Sequence, residues 1–121
     1  MSQEPDLDFH AELQWLGLHL ALIDVDGEID LYTSPELKRL MTEALDTGAE
    51  RIVADFRHVT FVDSTALGVL LTCARKLRWK KGAIDIVCDD AGVLGVFTTT
   101  GLDKVFSLYP TREAALAQLA S

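Results

Sequence analysis

The chain has 121 residues, 49% hydrophobic and 25% charged, with a formal net charge of −8 and two cysteines. Such a chain makes one domain with a real core, is not disordered, and is not held by a disulfide framework. The negative balance argues against nucleic acid as the main partner, because phosphate backbones are bound by cationic surfaces. No apolar run reaches the ~18 residues needed to span a bilayer.

In chain order, Met1 to His10 reads as a flexible acidic leader rather than a secretion signal, with the domain proper over residues 11–121. A cytoplasmic location with no membrane partner is the expectation. Glu12 to Leu16 and Leu18 to Asp26 read as two strands of a hairpin around Gly17, and Gly27-Glu28-Ile29-Asp30 breaks the second. Thr33-Ser34-Pro35-Glu36 is a helix start, followed by Leu37, Leu40, Met41, Ala44 and Leu45 at helical spacing, and Gly48 closes it. Arg51 to Phe56 is a buried strand, Arg57 to Asp63 a short loop, and Ser64 to about residue 79 a helix for which Ser64 is a natural N-cap. Ala83 to Cys88 is a strand, Gly92 to Thr99 a short helix stopped by Gly101, and Val105 to Leu108 a short strand. Thr111 caps a last helix whose apolar face is Ala114, Ala115, Leu116, Leu119 and Ala120. The order β-β-α-β-α-β-α-β-α predicts an α/β fold with a mixed sheet flanked by helices. Whether the helices cover one face or both is left open by the pattern.

The helix after Ser64 has two faces. Leu67, Leu70, Leu71, Ala74 and Leu77 form a stripe for the sheet. Ser64, Gly68 and Thr72 lie at i, i+4 and i+8, with Thr65, Val69 and Lys76 beside them, and this face is small and light in charge. Gly68 costs a helix interior about 1 kcal/mol relative to alanine. Either another body approaches the backbone there or the glycine packs beneath a neighbouring loop.

The segment Val59-Thr60-Phe61-Val62-Asp63-Ser64-Thr65-Ala66-Leu67-Gly68-Val69-Leu70 resembles the signature of the STAS-domain anti-sigma factor antagonists. Residues 27–37 resemble the start of that family's first helix, and Thr100 to Phe106 its segment before the last strand. The departures are Arg57-His58, where a small or turn-forming pair is common, and Ala66, where glycine is frequent.

The resemblance implies a STAS-type sheet and a partner-switching role in transcription regulation, not an enzyme. In that family the serine aligned with Ser64 is phosphorylated by an anti-sigma factor that is a serine kinase of GHKL type. The unphosphorylated antagonist binds it and frees sigma factor, and a PP2C-type phosphatase resets the phosphorylated form. Asp63, Ser64 and Thr65 carry over directly, Asp30 matches the acidic residue of the first block, and Glu28, Gly68, Val69 and Thr72 are candidate partner contacts. No cofactor is expected. The alternative is a STAS scaffold or nucleotide-sensing module that is never phosphorylated.

Two other chemistries fit poorly. Asp24, Asp26, Glu28 and Asp30 are dense, but Gly27 falls at the fourth position from Asp24 where a calcium loop needs glycine at the sixth. Ser64 as a hydrolytic nucleophile, with His58 and Asp63 nearby, lacks the Gly-x-Ser-x-Gly elbow. The run Arg75-Lys76-Arg78-Lys80-Lys81 reads as a solvated helix end, where cations suit the exposed carbonyls. Cys73 and Cys88 read as buried thiols of a reducing compartment.

Overall fold

A computed structural model describes residues 8–120, with the side chains of Leu119 and Ala120 outside the described set. The expected leader falls mostly outside it, and its last residue already opens a strand. The elements are β1 (His10–Trp15), β2 (Leu20–Ile29), α1 (Ser34–Thr47), β3 (Arg51–Val62), α2 (Ser64–Trp79), β4 (Ala83–Val87), α3 (Ala91–Thr99), a short 3-10 turn (Leu102–Lys104), β5 (Ser107–Tyr109) and α4 (Arg112–Ala120). One five-stranded sheet runs in the order β1-β2-β3-β4-β5. β1 is antiparallel to β2, and β2, β3, β4 and β5 are parallel. The α/β order and the mixed sheet match the expectation from sequence.

Most boundaries shift by one or two residues, the last strand for instance running Ser107–Tyr109 rather than Val105 to Leu108, and two differ by more. β2 does not break at Gly27 but continues to Ile29, through register shifts against β3 between Asp24 and Asp26 and between Gly27 and Glu28. Gly27 takes a φ of 104°, and a Cβ there would sit 3.2 Å from the Asp8 carbonyl oxygen. The glycine therefore makes a bulge rather than an end. β3 likewise absorbs the expected loop: residues 58–62 pair with β2 from Asp26 to Ile29.

Period-2 alternation gives the sheet two unlike faces. Ala21, Ile23, Ile52, Ala54, Phe56 and Ile86 join the buried side chains of α1, α2 and α3 in the main core, centred on Leu37, Met41, Leu70, Leu77 and Phe97. Phe97 and Phe106 meet edge to face at 6.0 Å. On the opposite face a smaller cluster of Leu22, Val53, Val87 and Ala115 lies under α4. Helices thus cover both faces, which the pattern had left open. Thr111 Oγ1 accepts from the Ala114 amide at 3.0 Å and caps α4 as expected.

The α4 face also carries charge. Asp55, fully buried, accepts from Arg57 at 2.9 Å and from Arg112 at 2.9 Å, and Arg112 also reaches Asp24 at 3.6 Å. Arg51 pairs with the buried Asp85 at 3.2 Å. Arg57 is therefore a sheet residue committed to Asp55, not a loop arginine. Cys73 and Cys88 are buried and free, and burial pushes the Cys73 thiol up to about 12.

Candidate functional site at the start of α2

Parallel strands deliver the helix starts of α1, α2 and α3 to one end of the sheet. At that end Asp63, not Ser64, caps α2. Its carboxylate accepts from the Thr65 amide at 2.9 Å, from the Ala66 amide at 3.2 Å and from the Thr65 hydroxyl. Burial alone would raise the Asp63 carboxyl, but the Thr65 hydroxyl, the Ala66 and Thr65 amides and the Leu31 amide outweigh it and hold it below the usual range. Asp63 is thus ionised at neutral pH and occupied as a cap, so the expectation that Ser64 is the N-cap is corrected. Extended backbone at Asp63 (φ −112°, ψ −175°) fits the cap geometry, and Ser64 becomes the first helical residue. Its hydroxyl is exposed and makes no hydrogen bond to a described residue. Asp63→Ala should cost about 1 kcal/mol of stability by removing the cap, read as a lowered midpoint in urea with an unchanged slope.

The β2–α1 loop is built against this corner. The Asp63 amide donates to Ile29 O at 3.2 Å. Asp30 accepts from the Tyr32 and Thr33 amides at 2.9 and 3.1 Å, while Thr33 Oγ1 donates to Glu28 O at 2.7 Å. Asp30 therefore shapes the loop with the same carboxylate that the family resemblance offers to a partner. The turn leaves Leu31 62% and Tyr32 73% exposed, and Phe61, opposite Glu28 in the register, 47% exposed. Sequence reasoning missed these three apolar side chains. A Leu-Tyr pair between a broken strand and a Thr-Ser-Pro helix start, outside any amphipathic period, was the available signal.

Along α2, Thr65, Gly68, Val69 and Thr72 line a cleft of about 400 Å³ between α1 and α2, with Met41, Leu45 and Cys73 as its apolar wall and Lys38 and Lys76 among its cations. Apart from its own helix, Gly68 has no described atom within 4 Å of where a Cβ would stand. The reading in which it packs beneath a neighbouring loop is therefore overturned, and no contact among the described residues requires a glycine. Glu28 is exposed on β2. The structure thus gathers Glu28, Asp30, Asp63, Ser64 and Thr65 at one end, with Thr72 about 12 Å further along the helix.

The competing chemistries find no geometry here. His58 lies on β3 opposite Asp26, and the rest of that strand, as far as Val62 opposite Ile29, separates it from Ser64. Asp24 engages Arg112 on the α4 face, and no cluster of three or more metal-ligating side chains exists among the described residues. No described helix is long and apolar enough to cross a membrane.

Comparison with known proteins adds a family to this geometry. The STAS domain family model matches residues 17–115. An anti-sigma F factor antagonist of Paenibacillus polymyxa is 33% identical over 100 residues, covering 81% of this chain and 85% of the relative. An anti-sigma-B factor antagonist of Staphylococcus aureus (strain NCTC 8325 / PS 47) is 30% identical over 80 residues, 66% of this chain and 74% of that one. The crystal structure of an anti-sigma factor antagonist from Mycobacterium paratuberculosis superposes with a TM-score of 0.85 at 27% identity, over 93% of this chain and 95% of the other. The family match spans β2 to β5 and the Asp63-Ser64-Thr65 helix start, and the chain belongs to the STAS domain family.

Proposed function

We propose that the chain is an anti-sigma factor antagonist whose binding is switched by phosphorylation of Ser64. The observation that carries this is the division of labour at the start of α2. Asp63 satisfies the free amides of the first turn, so the Ser64 hydroxyl is left exposed and uncommitted. A kinase reaches it without unfolding the helix. The γ-phosphoryl of ATP passes to Ser64 Oγ, the hydroxyl proton leaves, and ADP departs. All catalytic groups for that transfer belong to the partner, a serine kinase of GHKL type. A PP2C-type phosphatase hydrolyses the phosphoester.

The added group brings roughly −1.5 to −2 charges at neutral pH. At the first position of its own helix it meets the positive end of the dipole, so the fold tolerates it. A docked partner meets bulk, desolvation and a carboxylate-rich neighbourhood of Glu28, Asp30 and Asp63. The exposed Leu31, Tyr32 and Phe61 give the unmodified state an apolar contact to lose. The names of the relatives support the same reading.

Gly68 separates folding from binding. Gly68→Ala fills open space and improves helix propensity, so thermal stability should rise by about 1 kcal/mol while affinity for the kinase falls. Unchanged affinity would remove Gly68 from the interface. The reading as a whole is tested by incubating the protein with ATP and the GHKL kinases encoded near its gene, then mapping phosphate by mass spectrometry. A single phosphate on Ser64, removed by a PP2C phosphatase, is expected. No phosphate with any of these kinases would favour a scaffold or nucleotide-sensing module.

A further inference from the structure

The end of the molecule opposite Ser64 has a different chemistry. Five of the eleven lysines and arginines fall in Arg75-Lys76-Arg78-Lys80-Lys81. Each arginine outside this run is in an ion pair: Arg39 with Glu36, Arg51 with Asp85, Arg57 and Arg112 with Asp55. None of the five is paired with a described carboxylate, although Lys80 Nζ donates to Leu45 O at 3.2 Å. Asp46 in the last turn of α1 and Glu50 of the α1–β3 connection are the nearby acids by sequence and topology, and the cations outnumber them.

Trp79 stands within the run, 86% exposed, and shares a shallow cleft with Arg75 and Arg78. It places an aromatic ring among the cations of a run that the sequence alone reads as a solvated helix end. The tip of the β1–β2 hairpin reaches the same end, where His19 and Leu20 border a cleft with Lys81 and Gly82. There Leu18 is 85% exposed. Trp79 and Leu18 are the two most exposed large apolar side chains among the described residues.

Lys81 adds an independent sign. It holds a φ of 60°, a left-handed conformation that glycine adopts at lower cost. The chain keeps a cation where folding alone favours glycine.

We propose that this end docks on a bilayer surface carrying anionic lipid, with Trp79 and Leu18 entering the interface and Arg75, Arg78 and Lys81 meeting headgroup phosphates. Aromatic and aliphatic tips beside unpaired cations suit an interfacial layer. An aliphatic tip offers a nucleobase no stacking, so nucleic acid fits the surface less well. The acidic remainder is repelled from the bilayer, which turns the Ser64 end toward solvent. The expectation of no membrane partner, drawn from the lack of a spanning segment, does not address a surface contact of this kind.

Sedimentation with phosphatidylcholine vesicles, with and without phosphatidylglycerol, tests it. Binding is expected only with phosphatidylglycerol, fading as salt screens the charges. In a Trp15→Phe background the emission of Trp79 should shift to shorter wavelength on binding. Lys81→Gly should raise thermal stability yet weaken vesicle binding roughly fivefold, and Arg75→Glu/Arg78→Glu should weaken it at least roughly tenfold. Lys81→Gly keeps loss of binding separate from loss of fold. No binding to phosphatidylglycerol vesicles, equal binding to pure phosphatidylcholine, or binding to a DNA duplex or polyglutamate in place of vesicles would overturn the proposal.

Discussion

Ser64→Ala should bind the anti-sigma kinase constitutively, and Ser64→Asp should bind it about a hundredfold more weakly, measured by calorimetry against the same kinase preparation. The size follows from a loss of roughly 3 kcal/mol when a charged group is set into a desolvated contact. The fold should hardly register either change. Asp63 retains the cap in both variants, and an added carboxylate in the first turn of α2 sits favourably with the helix dipole. Thermal midpoints of the two variants should therefore agree closely while their affinities diverge. Equal affinities would show that charge at Ser64 does not control the partner.

A second large effect is expected on the other face of the sheet. Asp55→Asn should cost about 2–3 kcal/mol, or roughly 10 °C in Tm, because it strips the countercharge from Arg57 and Arg112 on a buried sheet face. The estimate sits below the usual cost of breaking a buried pair because both arginines keep partial access to water. Asp85→Asn should cost less, since Arg51 is more exposed than either arginine on Asp55. Acid should separate the two groups. Burial raises the Asp55 carboxyl, but hydrogen bonds from the Arg57 side chain and amide and from Arg112 outweigh it and leave it below the usual range. Its contribution is complete above the unfolded value near 4 and is lost as pH falls through the lower folded value. Burial is the largest influence on Asp24 and Asp85 and leaves both raised, so ionising them opposes folding, and that penalty is relieved as pH falls. Chemical denaturation between pH 7 and 3 should show Asp55→Asn losing its disadvantage in acid, and the smaller cost of Asp85→Asn growing as pH falls, because the wild type gains stability by protonating Asp85.

Most of the fold was legible because strands and helices alternate with clear stop signals, such as Gly48 in its left-handed C-cap with φ 112°. What escaped sequence reasoning shares a physical cause: short-range patterns do not reveal what lies across the sheet. Arg57, His58 and Thr60 look like loop residues, yet they extend β3 because β2 bulges at Gly27 and stays in register to Ile29. Asp55, Arg57 and Asp85 look like strand-end polarity until β3 and β4 are laid side by side beneath α4. At the site, Asp63 and Ser64 are adjacent residues of similar capping preference, and the backbone at Asp63 decides between them. Trp79 reads as part of a helix end, and its exposure emerges only when the main core is filled without it.

The two ends of the sheet give the molecule a polarity that suits a switch. Parallel strands bring Ser64, Leu31, Tyr32 and Phe61 together at one end, and the C-terminal turn of α2 with the β1–β2 tip at the other. On the proposed reading, a phosphate at Ser64 would act without any change passing through the core, because partner contact and modification would share one surface.

The most direct test of the central claim starts from a preformed complex of the anti-sigma kinase with its sigma factor. Unmodified chain or chain fully phosphorylated at Ser64 is added without ATP, and free sigma factor is read by gel filtration. Release by the unmodified chain and retention with the phosphorylated one are expected. Equal release by both forms would contradict the claim.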